Sequence, residues 1–223
     1  MSLFLRQTDL VNQNRLFKLG CTIVGCGAGG SFTALTLTKL GVGKLVLYDM
    51  DVVEPQNIAN QFFRLSDLGK NKALVTKEIC EAYKTNNQHI EAHPERFVNQ
   101  PVKTDIALAL TDTIEARQDV FKQAVASSKC LLYIDARMLA NDWQIYTVNT
   151  KDYEQVLTFW KDYLEDLRNQ RQPCTASAII YNVLGEVSHI VNTVKRFVNE
   201  EPYRLLHAYN YIDNYQVLGA LNK

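Results

Sequence analysis

No stretch of this chain runs apolar for the roughly 20 residues that cross a bilayer. Its opening, MSLFLRQTDL, has no basic head followed by an apolar run. Neither a membrane span nor a secretory leader is therefore expected. An excess of one charge is missing as well, because 24 Lys plus Arg balance 24 Asp plus Glu. Without a long-range field, binding to nucleic acid or to an anionic membrane is not expected. Cysteine is sparse, with five residues at Cys21, Cys26, Cys80, Cys130 and Cys174. The number is odd, the spacings are wide, and no C-x-x-C pair exists, which argues against a structural zinc site. Reduced thiols in a cytoplasm are the simplest expectation. Internal repeats and low-complexity tracts are absent too.

What is present is a globular composition, 47% hydrophobic and 22% charged over 223 residues. That suffices for one large α/β domain, or one domain with a small appendage. CTIVGC at 21–26 reads as a buried strand, and SFTALTLTKL reads as a helix stopped by Gly41 and Gly43. KLVLYDM at 44–50 is a second strand ending in acid, so the unit is β-α-β with parallel strands. Residues 51–71 form a long polar loop, a feature more often functional than decorative. Beyond it the pattern predicts a helix at 72–83, strands at 89–93 and 105–110, a helix at 114–126 and a strand at 131–135. QIYTVN at 144–149 alternates, as a half-exposed strand near a sheet edge would. Helices at 152–168 and 175–198 and strands near 204–211 and 214–218 complete the chain. In the last helix the apolar positions are Ile179, Val183, Val187, Ile190, Val194 and Phe197. Alternating strands and helices predict an α/β fold: a doubly wound, Rossmann-like, mostly parallel sheet with antiparallel strands at the C-terminal end. Its ligand crevice belongs at the carboxyl ends of the parallel strands.

Gly25, Gly27 and Gly30 fit G-x-G-x-x-G between strand and helix. The first permits a tight turn, the second lets phosphate approach the backbone, and the third lets helix and strand pack closely. Free N–H groups at the helix start face the anion. Asp49 ends the next strand about 20 residues on, where a ribose-binding acid belongs. The motif alone does not distinguish ATP from NAD.

Residues 49–72, DMDVVEPQNIANQFFRLSDLGKNK, narrow the choice. Here the sequence resembles the ThiF/MoeB/HesA family, the fold of ubiquitin-activating enzymes, whose pattern is approximately D-x-D-x-V-x-x-x-N-x-x-R-Q followed by G-x-x-K. The matching residues are Asp49, Asp51, Val53, Asn57, Gln61, Gly69 and Lys72. Arg6-Gln7 resembles the family's N-terminal Arg-Gln, and LALTDTIEAR at 108–117 matches a further segment through Thr111, Asp112 and Arg117. The resemblance covers nearly the whole chain as one domain, with a nucleotide-binding half to about residue 140 and a C-terminal half from about 141 to 223.

That resemblance implies ATP-dependent adenylation of a C-terminal carboxylate of a ubiquitin-like protein or peptide, in a homodimer. It places Asp49 on the ribose, Lys72 on the phosphates, Asn57 and Gln61 near them, and Asp112 on Mg²⁺. Arg6 would reach into the partner subunit's site. Plainer roles exist: an exposed helix lysine for Lys72, a helix N-cap for Asp112 and a mobile terminus for Arg6. One position departs from the pattern, for Asn60 stands where the family has a phosphate-contacting arginine. Arg64, four residues on, is a candidate to restore that charge. Pro173-Cys174-Thr175 resembles the segment around the thioester cysteine of ubiquitin-activating enzymes, although Cys174 could equally pack at a helix start. The other four cysteines read as packing residues. Asp135 and Arg137, after a parallel strand, read as a ligand contact or as a buried ion pair. The rival functions are an NAD-dependent oxidoreductase and a nucleotide-binding scaffold without turnover.

Overall fold

The computed structural model describes residues 3–85, 87–165 and 179–222. Among these residues five strands run parallel: β1 (Gly20–Val24), β2 (Lys44–Tyr48), β3 (His89–His93), β4 (Ile106–Ala109) and β5 (Leu132–Leu139). Three more extend the sheet in antiparallel sense: β6 (Asp142–Asn149), β7 (Leu206–Asn210) and β8 (Tyr215–Leu218). The order is β3-β2-β1-β4-β5-β6-β7-β8. The chain leaves β1 toward one edge and returns to β4 on the other side of β1. The crevice between β1 and β4 is therefore the switch point at which α/β folds bind ligands.

The helices are α1 (Gln13–Leu16), α2 (Ala28–Leu40), α3 (Lys72–Glu81), α4 (Ile114–Ala126), α5 (Tyr153–Phe159) and α6 (Ile180–Val198). A π-helical turn, Trp160–Glu165, continues α5. Alternate residues of each strand feed two separate cores. Cys21, Ile23, Leu45, Leu47, Leu108 and Ile134 face one side, packed with Leu37 of α2, Val75 of α3 and Ile190 of α6. Val24, Val46, Ala107 and Tyr133 face the other, packed with Phe121 of α4, Phe159 and Leu164. Helix α2 ends as the sequence implies: Gly41 takes the left-handed conformation at φ 105° and its N–H donates to the Leu37 and Thr38 carbonyls.

Two expectations change. QIYTVN is not near an edge. β6 lies between β5 and β7, and α6 covers one of its faces while α5 and the π-helical turn cover the other, so Ile145, Tyr146, Thr147 and Val148 are all buried, and only Gln144 continues the alternation outward. Ile179 is not on the buried stripe of the last helix; it is the N-cap residue and stands exposed, while Val183, Val187, Ile190 and Val194 are buried. Cys21, Cys26, Cys80 and Cys130 are buried free thiols, and burial raises the pKa of each. Among the described residues no helix is long and apolar enough to cross a membrane.

Candidate functional site

The β1–α2 turn is built by three glycines with different duties. Gly25 sits at φ 94°, and a Cβ there would lie 2.4 Å from the Leu110 carbonyl oxygen. A Cβ on Gly30 would lie 1.8 Å from the Gly25 carbonyl oxygen. Both positions are closed to side chains by backbone. Gly27 is different: its nearest such neighbour is Gln61 Nε2 at 4.0 Å. Its open side faces a cavity of about 440 Å³ that lies over the carboxyl ends of β1, β2, β4 and β5. That is the size range of a nucleotide or drug-sized ligand.

Asp49, just past β2, lines this cavity. Its Oδ2 accepts from the Cys26 N–H at 2.6 Å and its Oδ1 from the Asp51 N–H at 2.8 Å. The carboxylate thus ties the glycine turn to the end of β2, and each oxygen retains acceptor capacity for a ligand hydroxyl. Burial raises its pKa, and the two N–H donors offset part of that. Asn71 holds the opposite wall. It caps α3 by accepting from the Leu74 N–H, while its Nδ2 donates to the carbonyls of Asp49 and Asp51.

Lys72 therefore begins α3 in a fixed place. It is 8% exposed and lines the cavity, with Nζ 3.3 Å from Asp51 Oδ2. A lysine so buried is rare without a purpose for its charge. The plain reading as an exposed helix lysine does not hold. Asn60 and Gln61 also line the cavity, and the buried Oε1 of Gln61 has no hydrogen-bond partner among the described residues. Their loop is pinned to α2 by the Phe62 N–H donating to Ser31 Oγ.

On the far wall, Thr111, Asp112 and Thr113 follow β4. Thr113, not Asp112, is the N-cap of α4, its Oγ1 accepting from the Ala116 N–H. Asp112 is thereby released from the capping role and presents an exposed carboxylate to the cavity. No group of three or more His, Cys, Asp or Glu side chains among the described residues could cage a metal. A single carboxylate fits Mg²⁺ all the same, since that ion keeps several waters and takes its remaining oxygens from substrate phosphates.

Three candidates lie elsewhere. Arg64 does not reach the cavity: its guanidinium donates to Asp67 and Glu78 at 2.6–3.1 Å. Its charge is consumed by a turn that it caps itself, so it does not replace the arginine missing at Asn60. Asn57 likewise serves its own turn, Oδ1 accepting from the Glu54 N–H, and is not part of the cavity wall. Arg6 lies in an exposed 3-10 turn at Leu5–Gln7, outside the wall. Cys174 falls outside the described residues.

Asp135 and Arg137 form a buried ion pair at 2.8 Å, joined by Arg117 at 2.6 Å. Arg117 also donates to the carbonyls of Ala109, Thr111 and Ala136, fixing the ends of β4 and β5 that frame the cavity. Burial pushes Asp135 up, but the two guanidiniums outweigh it and the balance lies below the ordinary carboxylate range. Three charged groups on the wall escaped sequence reasoning, Glu95, Arg96 and Glu186. Glu95 and Arg96 follow β3 in a short polar run that carries no signal. Glu186 did leave one, because it interrupts the apolar stripe between Val183 and Val187.

The model of the ThiF family matches residues 2–218 of this sequence. The chain belongs to the ThiF family. Among curated proteins, this ThiF-family chain is 31% identical over 132 residues to "Ubiquitin-like modifier-activating enzyme 5" of Dictyostelium discoideum, covering 51% of this chain and 34% of that protein. It is 34% identical over 116 residues to the protein of the same name from Rattus norvegicus, covering 44% and 28%. The matches thus span about a third of the length of these relatives. Among solved structures, E. coli MccB crystallised with ATP superposes with a TM-score of 0.75 at 20% identity, over 95% of this chain and 66% of that one. PaaA gives 0.75 at 19% identity, over 95% and 67%. These two share its fold.

Proposed function

We propose that this ThiF-family chain binds ATP with Mg²⁺ and adenylates a carboxylate, the C-terminus of a ubiquitin-like protein or peptide. The observation that carries the reading is the burial of Lys72 in the wall that also presents open Gly27, Asp49 and Asp112. The Lys72 cation, an anion-accepting helix start, an acceptor for ribose hydroxyls and a magnesium-type ligand share a single cavity. Hydride transfer from NAD needs neither Lys72 nor Asp112. The names of the relatives and the ATP in the MccB crystal agree with this reading.

In the reaction a carboxylate oxygen attacks the α-phosphorus. A phosphorus–oxygen bond to pyrophosphate breaks, and an acyl adenylate forms. The carboxylate is ionised at neutral pH, so no general base is needed. Lys72 and the N–H groups of the α2 start hold the phosphate chain and stabilise charge as it spreads. Asp112 would hold Mg²⁺, which neutralises phosphate charge. A homodimer with Arg6 entering the partner's cavity, and transfer of the acyl group to Cys174 as a thioester, belong to the same proposal. Asn60 favours a second reading, a nucleotide-binding scaffold without turnover, because it supplies no charge. Release of pyrophosphate on adding candidate carboxylates separates the two.

The test is thermal unfolding with Mg²⁺-ATP against NAD⁺, for wild type and Lys72→Ala. Ligand at 100 times its dissociation constant adds about 2.7 kcal/mol, a rise of roughly 5–11 °C for a chain of this size. The expected result is a rise with ATP alone that Lys72→Ala abolishes. A rise with NAD⁺ alone overturns the reading.

A further inference from the structure

Glu186 lies on the buried stripe of α6, 2% exposed. Its carboxyl nevertheless reaches the cavity wall. A Cβ on Gly29 would lie 2.6 Å from Glu186 Oε2, so the carboxyl rests against the first turn of α2, where the unpaired N–H groups open. Its Oε1 is buried and has no hydrogen-bond partner among the described residues. The charged groups facing it are Arg117 from α4, which favours ionisation, and Asp135 from β5, which opposes it. Arg117 is already engaged by Asp135 and by carbonyl oxygens. Lys72, Asp49, Asp112, Glu95 and Arg96 share the cavity wall. On α6 itself His189 lies one turn on, and from β7 His207 packs against it. Next to Glu186, a Cβ on Gly185 would meet the Tyr211 hydroxyl and Trp143 Nε1. Burial is the largest influence on Glu186 and pushes its carboxyl up to about 8. A neutral carboxyl offers one O–H donor, and the anion-accepting end of α2 lies beside it.

We infer that Glu186 is a ligand-binding residue of this site that works in its neutral form, its O–H donating a hydrogen bond to a nucleotide phosphoryl oxygen seated at the start of α2. This rests on the nucleotide reading above. An ionised carboxylate at that place would repel the phosphate. A bound phosphate favours the protonated carboxyl, so ATP binding takes up a proton wherever the free site is ionised. Affinity for ATP therefore falls as pH rises past the free carboxyl's titration, by up to about tenfold per pH unit for one linked proton.

Calorimetric titration of the full chain with ATP and with adenosine, in EDTA and between about pH 7 and about pH 9.5, tests this. Wild type should lose ATP affinity above about pH 8 and take up close to one proton, read from two buffers of different ionisation heat. Glu186→Gln keeps an uncharged donor, so its ATP affinity should be level across the window. Adenosine, lacking phosphate, should bind both proteins without a slope. Equal ATP slopes in wild type and variant overturn the inference and leave the nucleotide reading intact. Affinity that rises with pH in wild type alone overturns it too, since the carboxylate would then act ionised. Absence of proton uptake by wild type at high pH refutes it without recourse to any variant. If ATP binds at no pH, either in EDTA or with Mg²⁺ restored, the nucleotide reading fails and carries this inference with it.

Discussion

Arg64 and Lys72 bear the same charge eight residues apart, one before and one at the start of α3, and packing gives them opposite employment. Lys72 is held by Asn71 and the end of β2 against the cavity, with Asp51 as a half-exposed partner that a phosphate can outbid. Arg64 closes on Asp67, a buried carboxylate that also accepts from the Arg64 N–H and from Lys70. Removing Arg64 leaves Asp67 short of its main donor. Arg64→Ala should lower stability in urea unfolding, while ATP affinity measured on the folded protein stays within about twofold. A large loss of affinity at unchanged stability would return Arg64 to the nucleotide site. Sequence spacing could not choose between these roles, since it does not say which way the loop turns each side chain.

At the scale of the element, the β1–α2 turn divides its glycines between folding and binding. Gly30→Ala would drive a Cβ to within 1.8 Å of the Gly25 carbonyl oxygen. Helix and strand would have to separate, so a loss of about 1–3 kcal/mol or more is expected. Gly27 sits at φ −75° with open space beyond. Gly27→Ala should therefore leave stability within about 0.5 kcal/mol, yet its methyl would stand where phosphate approaches. A fall in ATP affinity of about tenfold, worth about 1.4 kcal/mol, is expected from titration. If Gly27→Ala binds ATP like wild type, phosphate does not sit over this turn. The helix termini show the same division. Thr113 takes the cap of α4 and Asn71 that of α3, which leaves Asp112 and Lys72 to face the cavity.

For the whole molecule, the sheet order sets the cavity at the β1–β4 divide, and the buried Asp135–Arg117–Arg137 cluster locks its far wall. Arg6 lies outside that wall, so within one subunit it has no part in the site. The proposed dimer supplies one. Arg6→Ala and Lys72→Ala proteins, each inactive alone, should regain activity when unfolded together and refolded as a mixture. Half of the dimers would be mixed and each would hold one intact site, so pyrophosphate release should reach about a quarter of the wild-type rate. No recovery, with dimers confirmed by sedimentation, would remove Arg6 from the partner's site.

The sequence by itself determined the β-α-β unit, the glycine turn, the acid after β2 and the parallel-then-antiparallel order of elements. These follow from short-range causes: apolar period, helix stops and backbone conformations open to glycine. It also carried the family through residues 49–72 and 108–117, where motif spacing is fixed by local geometry. Tertiary structure alone decided which polar side chains turn into the cavity. Asn57 and Arg64 match or neighbour the motif but satisfy their own turns. β6 lost its outward face because α6 packs on one side of it and α5 on the other. Glu186, about 160 residues from the glycine turn in sequence, meets it only because α6 packs on α2. Such contacts depend on how distant elements are stacked, and burial of a charge acquires its meaning only when the neighbours are in place.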